Sequence, residues 1–379
     1  MKLLHTSDWH LGMIFKSGIT YKDDQKQFIS EICQIAQNEK VDGILMAGDM
    51  FDKSIASNEA IDLFDETMTD ICLKLNIPVY MIAGNHDGAK RIASCSSLLK
   101  KSGLYICGAL EEKVEKISID DVDIYLLPWI STDKVRLVFP DKAEEINSME
   151  DAYRVVLDNI RSQFVKGQKN ILVAHAFIVN AETSVSDRAA VVGNATMVSA
   201  SCFEGFDYVA LGHIHGPQQI NSNIRYCGSP MPYSFGNEEK QTKSVTIIDT
   251  DTMEQKVIPI NNLHKRTTLS GTFEELKKAD FPKEIVDGYV RLEVTDIYVG
   301  LEGISILREK YKNLLEISSK SLDSETTSIT MSIDEFENEL TSPKDVFERY
   351  CEDILNEKAS EHFKELFSNA LAIVESEVG

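Results

Sequence analysis

Cysteine is sparse and unpatterned. The 379-residue chain holds Cys33, Cys72, Cys95, Cys107, Cys202, Cys227 and Cys351, an odd number with no Cys-x-x-Cys spacing. This argues against a disulfide framework and reads as reduced thiols in a cytoplasmic protein. No run approaches the roughly 18 apolar residues that a membrane span needs. The charged motif reached at Asp8 leaves no room for a signal peptide. Internal repeats and low-complexity tracts are absent, and no Gly-x-x-x-x-Gly-Lys-Ser/Thr occurs, so ATP is not bound through a P-loop. Basic charge is also short. Lys and Arg number 39 against 61 Asp and Glu, a net charge of -22. That argues against a protein gripping nucleic acid by a general basic surface. The deficit is uneven, because residues 321–379 carry 15 acidic and 4 basic side chains, a net of -11.

What is present is ordinary globular composition, 43% hydrophobic, at a length that suits two or three domains. Up to about residue 130, short apolar runs alternate with helical patterns. Val41–Ala47 and Val79–Ala83 read as buried strands. Asp24–Ala36 and Ala60–Leu75 read as amphipathic helices. Such strand–helix–strand units predict an α/β fold with a largely parallel sheet covered by helices. Further strands are expected at Val122–Leu127, Ile171–Ala174, Tyr208–Leu211, Ile224–Tyr226 and Val245–Asp249, with a long functional loop at Ala181–Met197. After His264 the pattern changes to a small α+β unit: strands at Thr268–Ser270, Tyr289–Val294 and Leu314–Ser318, and helices at Thr272–Ala279 and Leu301–Tyr311. Ser319–Glu325 reads as a linker. Ser342, Pro343 and Asp345 then open a helical segment with apolar stripes, including Phe347, Tyr350, Phe363 and Phe367.

The chemistry concentrates where strands end. Asp8-x-His10 follows Leu3-Leu4, and alternation along an extended chain would aim both side chains at one point. Gly48-Asp49-Met50-Phe51-Asp52 follows the second strand, and Gly84-Asn85-His86-Asp87 the third. Ala174-His175 and Gly212-His213-Ile214-His215 close two later strands. Small residues at these ends let backbone approach a ligand. Asp8, His10, Asp49, Asn85, His175, His213 and His215 form a mixed N/O ligand set, which suits manganese, iron or zinc rather than a soft-metal site. Seven ligands fit two metals sharing a bridge, for which Asp49 is suited, and a two-metal clamp serves in-line displacement at phosphorus. Any one cluster would be unremarkable as a capped turn; five in this order point to a metal centre. His5 reads as structural, because alternation turns it away from the site, and His264 and His362 as solvent or interface residues.

Taken together, these motifs resemble the calcineurin-like metallophosphoesterases. The stretches LLHTSDWHLG, AGNHDGAKR, FDYVALGHIHGPQ and IRYCGSPMPYSFGNEEK are more narrowly similar to bacterial nuclease subunits related to archaeal and eukaryotic double-strand-break repair nucleases. The resemblance covers nearly the whole chain. It implies a two-sheet sandwich flanked by helices over residues 1–265, a small α+β capping domain for DNA at 266–320, and a linker with partner-binding helices at 321–379. It implies a Mn2+-dependent DNA exonuclease and endonuclease in end processing, repair and recombination, nucleoid-associated in the cytoplasm, with two divalent ions, most suitably Mn2+. Asp8, His10, Asp49 and His215 would hold one ion, and Asp49, Asn85, His175 and His213 the other. His86 would stabilise the developing charge or protonate the leaving oxygen, and Asp52 would orient His86 and hold it protonated. Lys90, Arg91 and Arg188 are candidates for DNA phosphate contacts, and Asp87 reads as a turn residue beside the site. A coiled-coil ATPase would be the partner, docking on the C-terminal helices, and a homodimer would form through the helical face around Ile61–Ile71 and the loop after Asn85.

Two positions depart from the pattern. Asp52 stands where archaeal relatives commonly carry histidine, and Ala174 replaces the usual glycine before His175. Two alternatives remain open on sequence alone. One is a phosphomonoesterase on the same scaffold. The other is a non-catalytic binding module, whose signature would be a missing ligand, and none is missing.

Overall fold

The computed structural model describes residues 1–15, 19–188, 197–320, 328–332 and 364. It divides into two compact units: Met1–Met13 with Thr20–Leu263, and Ile14–Ile19 with the chain from His264 onward.

The first unit holds two six-stranded sheets. One runs in the order Gln255–Pro259, Ser244–Asp249, Lys2–Thr6, Gly43–Met46, Val79–Ile82, Leu104–Cys107. Its last four strands are parallel, and the two late strands add antiparallel beside Lys2–Thr6. The other runs Gln218–Gln219, Ile224–Tyr226, Tyr208–Gly212, Lys169–His175, Val122–Leu127, Glu115–Ile119, with a parallel centre and antiparallel edges. The fold is therefore α/β with two mixed sheets.

Alternation explains how the sheets come together. Leu45, Ala47, Tyr80 and Ile82 of the first sheet share one core with Ile124, Leu126, Ile171, Val173, Tyr208 and Ala210 of the second. The intervening residues Tyr125, Leu127, Leu172, Ala174, Val209 and Leu211 turn to the opposite face. There the helix Met149–Arg161 covers them with Met149, Ala152, Tyr153, Val156, Leu157 and Ile160, a three-and-four spacing that puts one stripe on the sheet. A Ser148–Asp151 capping box starts that helix. The helix Lys22–Glu39 buries Phe28, Ile29, Ile32 and Ala36 by the same rule. Asn58–Thr69, capped by Ser57, continues into a wider turn at Asp70–Lys74.

Register sets the position of the site. Thr6 pairs with Met46, Met46 with Met81, and Gly212 with His175. The C-terminal ends of these parallel strands thus line up within each sheet, the usual location for ligands in such sheets.

The second unit is a four-stranded sheet, ordered Arg266–Gly271, Tyr289–Val294, Asn313–Lys320, Ser328–Ser332. Helices Phe273–Lys278 and Leu301–Lys310 place Leu276, Ile304 and Leu307 in its core with Val290, Leu292 and Leu314. The expected boundary at residue 320 is too short. Ser319 and Lys320 belong to a strand, and Ser328–Ser332 pairs with it antiparallel, so the reading of Ser319–Glu325 as a linker also fails at its first two residues. Ser328–Ser332 is a short strand at the sheet's edge with only Ile329 and Met331 apolar, so no apolar run marked it. The two C-terminal helices expected after Ser342, with Cys351 and His362, lie outside the described residues.

The six described cysteines are free. Among the described residues no helix is long and apolar enough to cross a membrane.

Candidate metal centre

Asp8, His10, Asp49, Asn85, His86, His175, His213 and His215 come from five loops at the strand ends, and the fold brings them together. Hydrogen bonds knit the loops to one another. Asp8 N–H donates to the Gly48 carbonyl at 3.0 Å, and His10 N–H to the Asp49 carbonyl at 3.0 Å. His213 N–H donates to Asp8 Oδ1 at 3.0 Å, and His86 N–H to Asp49 Oδ1 at 2.9 Å. Asp87 accepts from the N–H groups of Gly84, Phe51 and Met50 at 2.9, 2.9 and 3.2 Å, tying the second loop to the third. Glycine is needed at Gly84, where a Cβ would collide with the Asp49 carboxylate, and at Gly212, where it would strike the Ala47 carbonyl.

Asp8, His10, Asp49 and His213 have φ of 54, 44, 50 and 100°, a region that side-chain-bearing residues rarely adopt. This corrects the expectation that strand alternation aims Asp8 and His10. The strand ends at Thr6, and left-handed turns do the aiming.

The donor atoms converge in two overlapping groups. His10 Nε2 lies 3.2 Å from His215 Nε2 and 3.8 Å from Asp49 Oδ2. Asp8, His10 and His215 lie close enough together to hold one ion. On the other side of Asp49, its Oδ2 is 3.3 Å from His175 Nε2, which is 2.9 Å from Asn85 Oδ1, itself 3.0 Å from His213 Nδ1. Asp49 is common to both groups.

The chemistry of the donors fits a cation. His175 Nδ1–H donates to the Ala47 carbonyl at 2.8 Å, which leaves Nε2 bare. Nε2 then faces Asp49 Oδ2 and Asn85 Oδ1, neither of which carries a proton, so three lone pairs meet. Burial disfavours a charged His175, yet Asp49 beside it more than offsets this and raises its pKa to about 9. A position that draws a proton onto a buried imidazole is one that a metal ion can take instead. His10 Nδ1 is buried without a hydrogen-bond partner. Burial holds His10 well below its ordinary pKa and His213 at about 3, so both rings are neutral, as ligands must be. Burial opposes the charge of Asp49, but His175 and His10 keep it well below the usual carboxylate range. Burial raises Asp8 to about 6.

His86 lines an open cleft of about 660 Å3 with Asp52, Lys53, Ser54, Ile55, Asn85 and Ser186. Its Nδ1–H donates at 2.8 Å to the backbone carbonyl of Asp52. The expectation that the Asp52 side chain orients His86 is corrected: that carboxylate lies 3.8 Å from His10 Nδ1. His86 also stands near enough to His10 and Asp49 to share a cation with them.

Lys90 and Arg91 are exposed on the short helix Ala89–Ile92, and Arg91 Nη1 donates to the Ser54 carbonyl at 3.0 Å. Arg188 ends the short helix Val185–Arg188 within the expected long loop. His5 is buried between the sheets, with Nδ1 2.9 Å from Tyr208 Oη and Nε2 3.1 Å from the Leu211 carbonyl.

Sequence reasoning missed the residues around this set. Trp129 stacks on His213 at 5.3 Å and 24°. Tyr233 Oη donates to the Trp9 carbonyl at 2.7 Å, and its ring lies 5.2 Å from that of His10. Ser186, Asp187, Glu238 and Lys243 surround the far side of His215. Tyr233, Glu238 and Lys243 fall in or next to the stretch IRYCGSPMPYSFGNEEK, which had a resemblance but no assigned role.

The calcineurin-like phosphoesterase family model matches residues 1–217. The chain is 32% identical over 327 residues to the SbcD component of the SbcCD nuclease from Staphylococcus epidermidis, covering 85% of this chain and 86% of that one. It is 30% identical over 330 residues to the same component from Staphylococcus saprophyticus, covering 86% and 87%. A dimetal phosphatase from Danio rerio is a distant likeness, at 11% identity and a TM-score of 0.38, covering 69% of this chain and 99% of that one.

Proposed function

The chain belongs to the calcineurin-like phosphoesterases, within the family of the SbcD nucleases, and on that premise we propose that it is a Mn2+-dependent DNA nuclease working with an SbcC-type ATPase. It is a metal-dependent hydrolase of phosphodiesters. The observation that carries the proposal is the meeting of bare lone pairs from Asp49, Asn85 and His175 beside the buried group Asp8, His10 and His215.

Asp8, His10, Asp49 and His215 would hold one divalent ion, and Asp49, Asn85, His175 and His213 the other. When bound, the ions supply positive charge to the phosphate and lower the pKa of the attacking water. The protein's own contribution is positional. The Ala47 carbonyl fixes the His175 tautomer, and Asp87 holds the Asp49 and Asn85 loops at one spacing. His86 reaches the cleft with its Nδ1 proton committed to the Asp52 carbonyl. Its Nε2 is therefore the atom left to face the phosphate, and the imidazolium form, carrying a second proton there, would hydrogen-bond the phosphate or give that proton to the leaving oxygen, returning to the neutral Nδ1–H ring. Lys90, Arg91 and Arg188 contact flanking phosphates.

The small domain from His264 contacts DNA, the C-terminal segment binds the coiled-coil ATPase, and that partner supplies ATP hydrolysis and much of the DNA grip. Two copies associate through the helical face around Ile61–Ile71 and the loop after Asn85, a reading supported by exposed Ile61.

Digestion of end-labelled linear duplex with Mn2+, with the ends of the products mapped, tests the proposal. Metal-dependent cleavage, with bis-(p-nitrophenyl) phosphate turned over faster than the mono-ester, is the expected result. Mono-ester preference without DNA cleavage would make the protein a phosphatase.

A further inference from the structure

Behind His215, on the side away from His10, runs a polar chain that plays no part in the reaction proposed above. Glu238 and Lys243 are fully buried, and a buried ion pair carries a desolvation cost that its hydrogen bonds must offset. Lys243 Nζ donates to the His215 carbonyl at 2.8 Å, to Glu238 Oε2 at 3.0 Å and to Ser229 Oγ at 3.1 Å, and Gln241 Oε1 lies beside it at 3.3 Å. Glu238 Oε2 also accepts the Tyr233 N–H at 3.0 Å, and Oε1 accepts the Ser234 hydroxyl at 2.5 Å and the Ser186 hydroxyl at 2.5 Å.

The direction of each bond follows from which groups can donate. An ammonium and a backbone N–H only donate, so Glu238 accepts from both. Burial opposes its charge, but Lys243 keeps it below the usual carboxylate range. A carboxylate has no proton to give, so Ser186 gives its single hydroxyl proton to Oε1. Ser186 Oγ can then only accept from His215 Nδ1, 2.8 Å away. That nitrogen therefore bears the hydrogen of the neutral ring. Nε2 is bare, and Nε2 is the atom 3.2 Å from His10 Nε2.

We propose that Glu238, paired with Lys243, acts through Ser186 as a positioning residue that fixes the His215 tautomer and so keeps a lone pair aimed into the metal centre. The inference rests on His215 being a ligand. Asp187 is the rival anchor, since its Oδ1 lies 3.3 Å from the same Nδ1 and accepts the His215 N–H at 3.0 Å.

The test begins without metal or DNA. Full-length protein labelled with 15N-histidine and stripped with EDTA is examined by two-bond proton–nitrogen correlation at about pH 8, where an ordinary imidazole is neutral. Wild type is expected to carry the His215 proton on Nδ1. In Glu238→Gln the amide donates to Ser186, whose own proton turns to Nδ1, and the ring proton moves to Nε2. Mn2+ affinity then falls about 10- to 100-fold, the usual loss when support behind a ligand is removed. Asp187→Asn is expected to leave the tautomer in place. Retention of the Nδ1 proton in Glu238→Gln, or a switch caused by Asp187→Asn alone, would overturn the proposal. Should Glu238→Gln fail to fold, Ser186→Ala keeps the Lys243–Glu238 pair and is expected to weaken Mn2+ about tenfold; unchanged affinity would overturn it equally. Absence of DNA cleavage alongside the expected tautomers would count against the nuclease reading alone.

Discussion

Each side chain at the centre has a separable task, and variants sort the tasks. Asp8→Ala and His215→Ala remove ligands from the same group. Each is expected to lower metal content, with more than about a 100-fold loss of affinity, and to abolish cleavage; manganese-dependent activity at the wild-type level would refute the assignment. His86→Ala is expected to keep both ions while turnover falls about 100- to 10,000-fold, the range of a lost general acid. Metal analysis that finds an emptied site would make His86 a ligand. His5 has a different task. Burial lowers its pKa to about 3, and the neutral ring links the first strand to Tyr208 and Leu211 of the other sheet. A histidine that is harder to protonate folded than unfolded gives stability that is fully present above the unfolded value near 6.5 and drains away as pH falls toward 3. Between pH 6.5 and 5 this amounts to roughly 2 kcal/mol. Urea melts at the two pH values should show a smaller acid loss for His5→Gln than for wild type.

At the scale of elements, the strands carry the stability and the turns carry the chemistry. Ile171 belongs to the inter-sheet core and is fully buried. Ile171→Ala is expected to cost about 2–5 kcal/mol in denaturant melts and to leave metal affinity nearly unchanged, because the ligands hang from the strand ends. This division explains what was legible. Val122–Leu127 and Ile224–Tyr226, buried throughout, and Tyr289–Val294, where half-buried Arg291 and Glu293 alternate with core residues, coincide with the expected strands, since burial on both faces or strict alternation leaves few alternatives. Ser328–Ser332 was invisible because an edge strand has no such requirement. The metal-type residues were legible as motifs at strand ends. The polar chain behind His215 was not, because Ser186, Glu238 and Lys243 are far apart in sequence and each is ordinary by itself. Asp52 shows the same limit. Its nearness to His86 was foreseen, but the interacting atom is a backbone oxygen, which any residue there would provide.

The whole molecule must hold an acidic polymer while carrying a net charge of -22. Half of that charge lies beyond residue 320, in a segment whose expected apolar stripes include Phe347, Tyr350, Phe363 and Phe367, and aromatic residues are typical interface anchors. An acidic surface repels DNA but need not repel a protein groove. Phe363→Asp combined with Phe367→Asp is therefore expected to weaken capture of the ATPase partner by several kcal/mol, while the isolated nuclease stays folded and active. A pull-down in which the double variant matches wild type would end that reading.

The order of strands in the first sheet bears on how the protein is made. Lys2–Thr6 is synthesised before the other strands of its sheet, yet one of its two neighbours is Ser244–Asp249. At roughly 5–20 residues per second, a ribosome takes on the order of 10–50 s to reach that neighbour. Throughout that interval one edge of the earliest strand stands open as a template for wrong pairing. His213 and His215 also emerge late, after Asp8, His10 and Asp49 have long been exposed. A nascent chain therefore carries half of a metal centre with no means of closing it, and translation itself delays the moment at which the enzyme can cut.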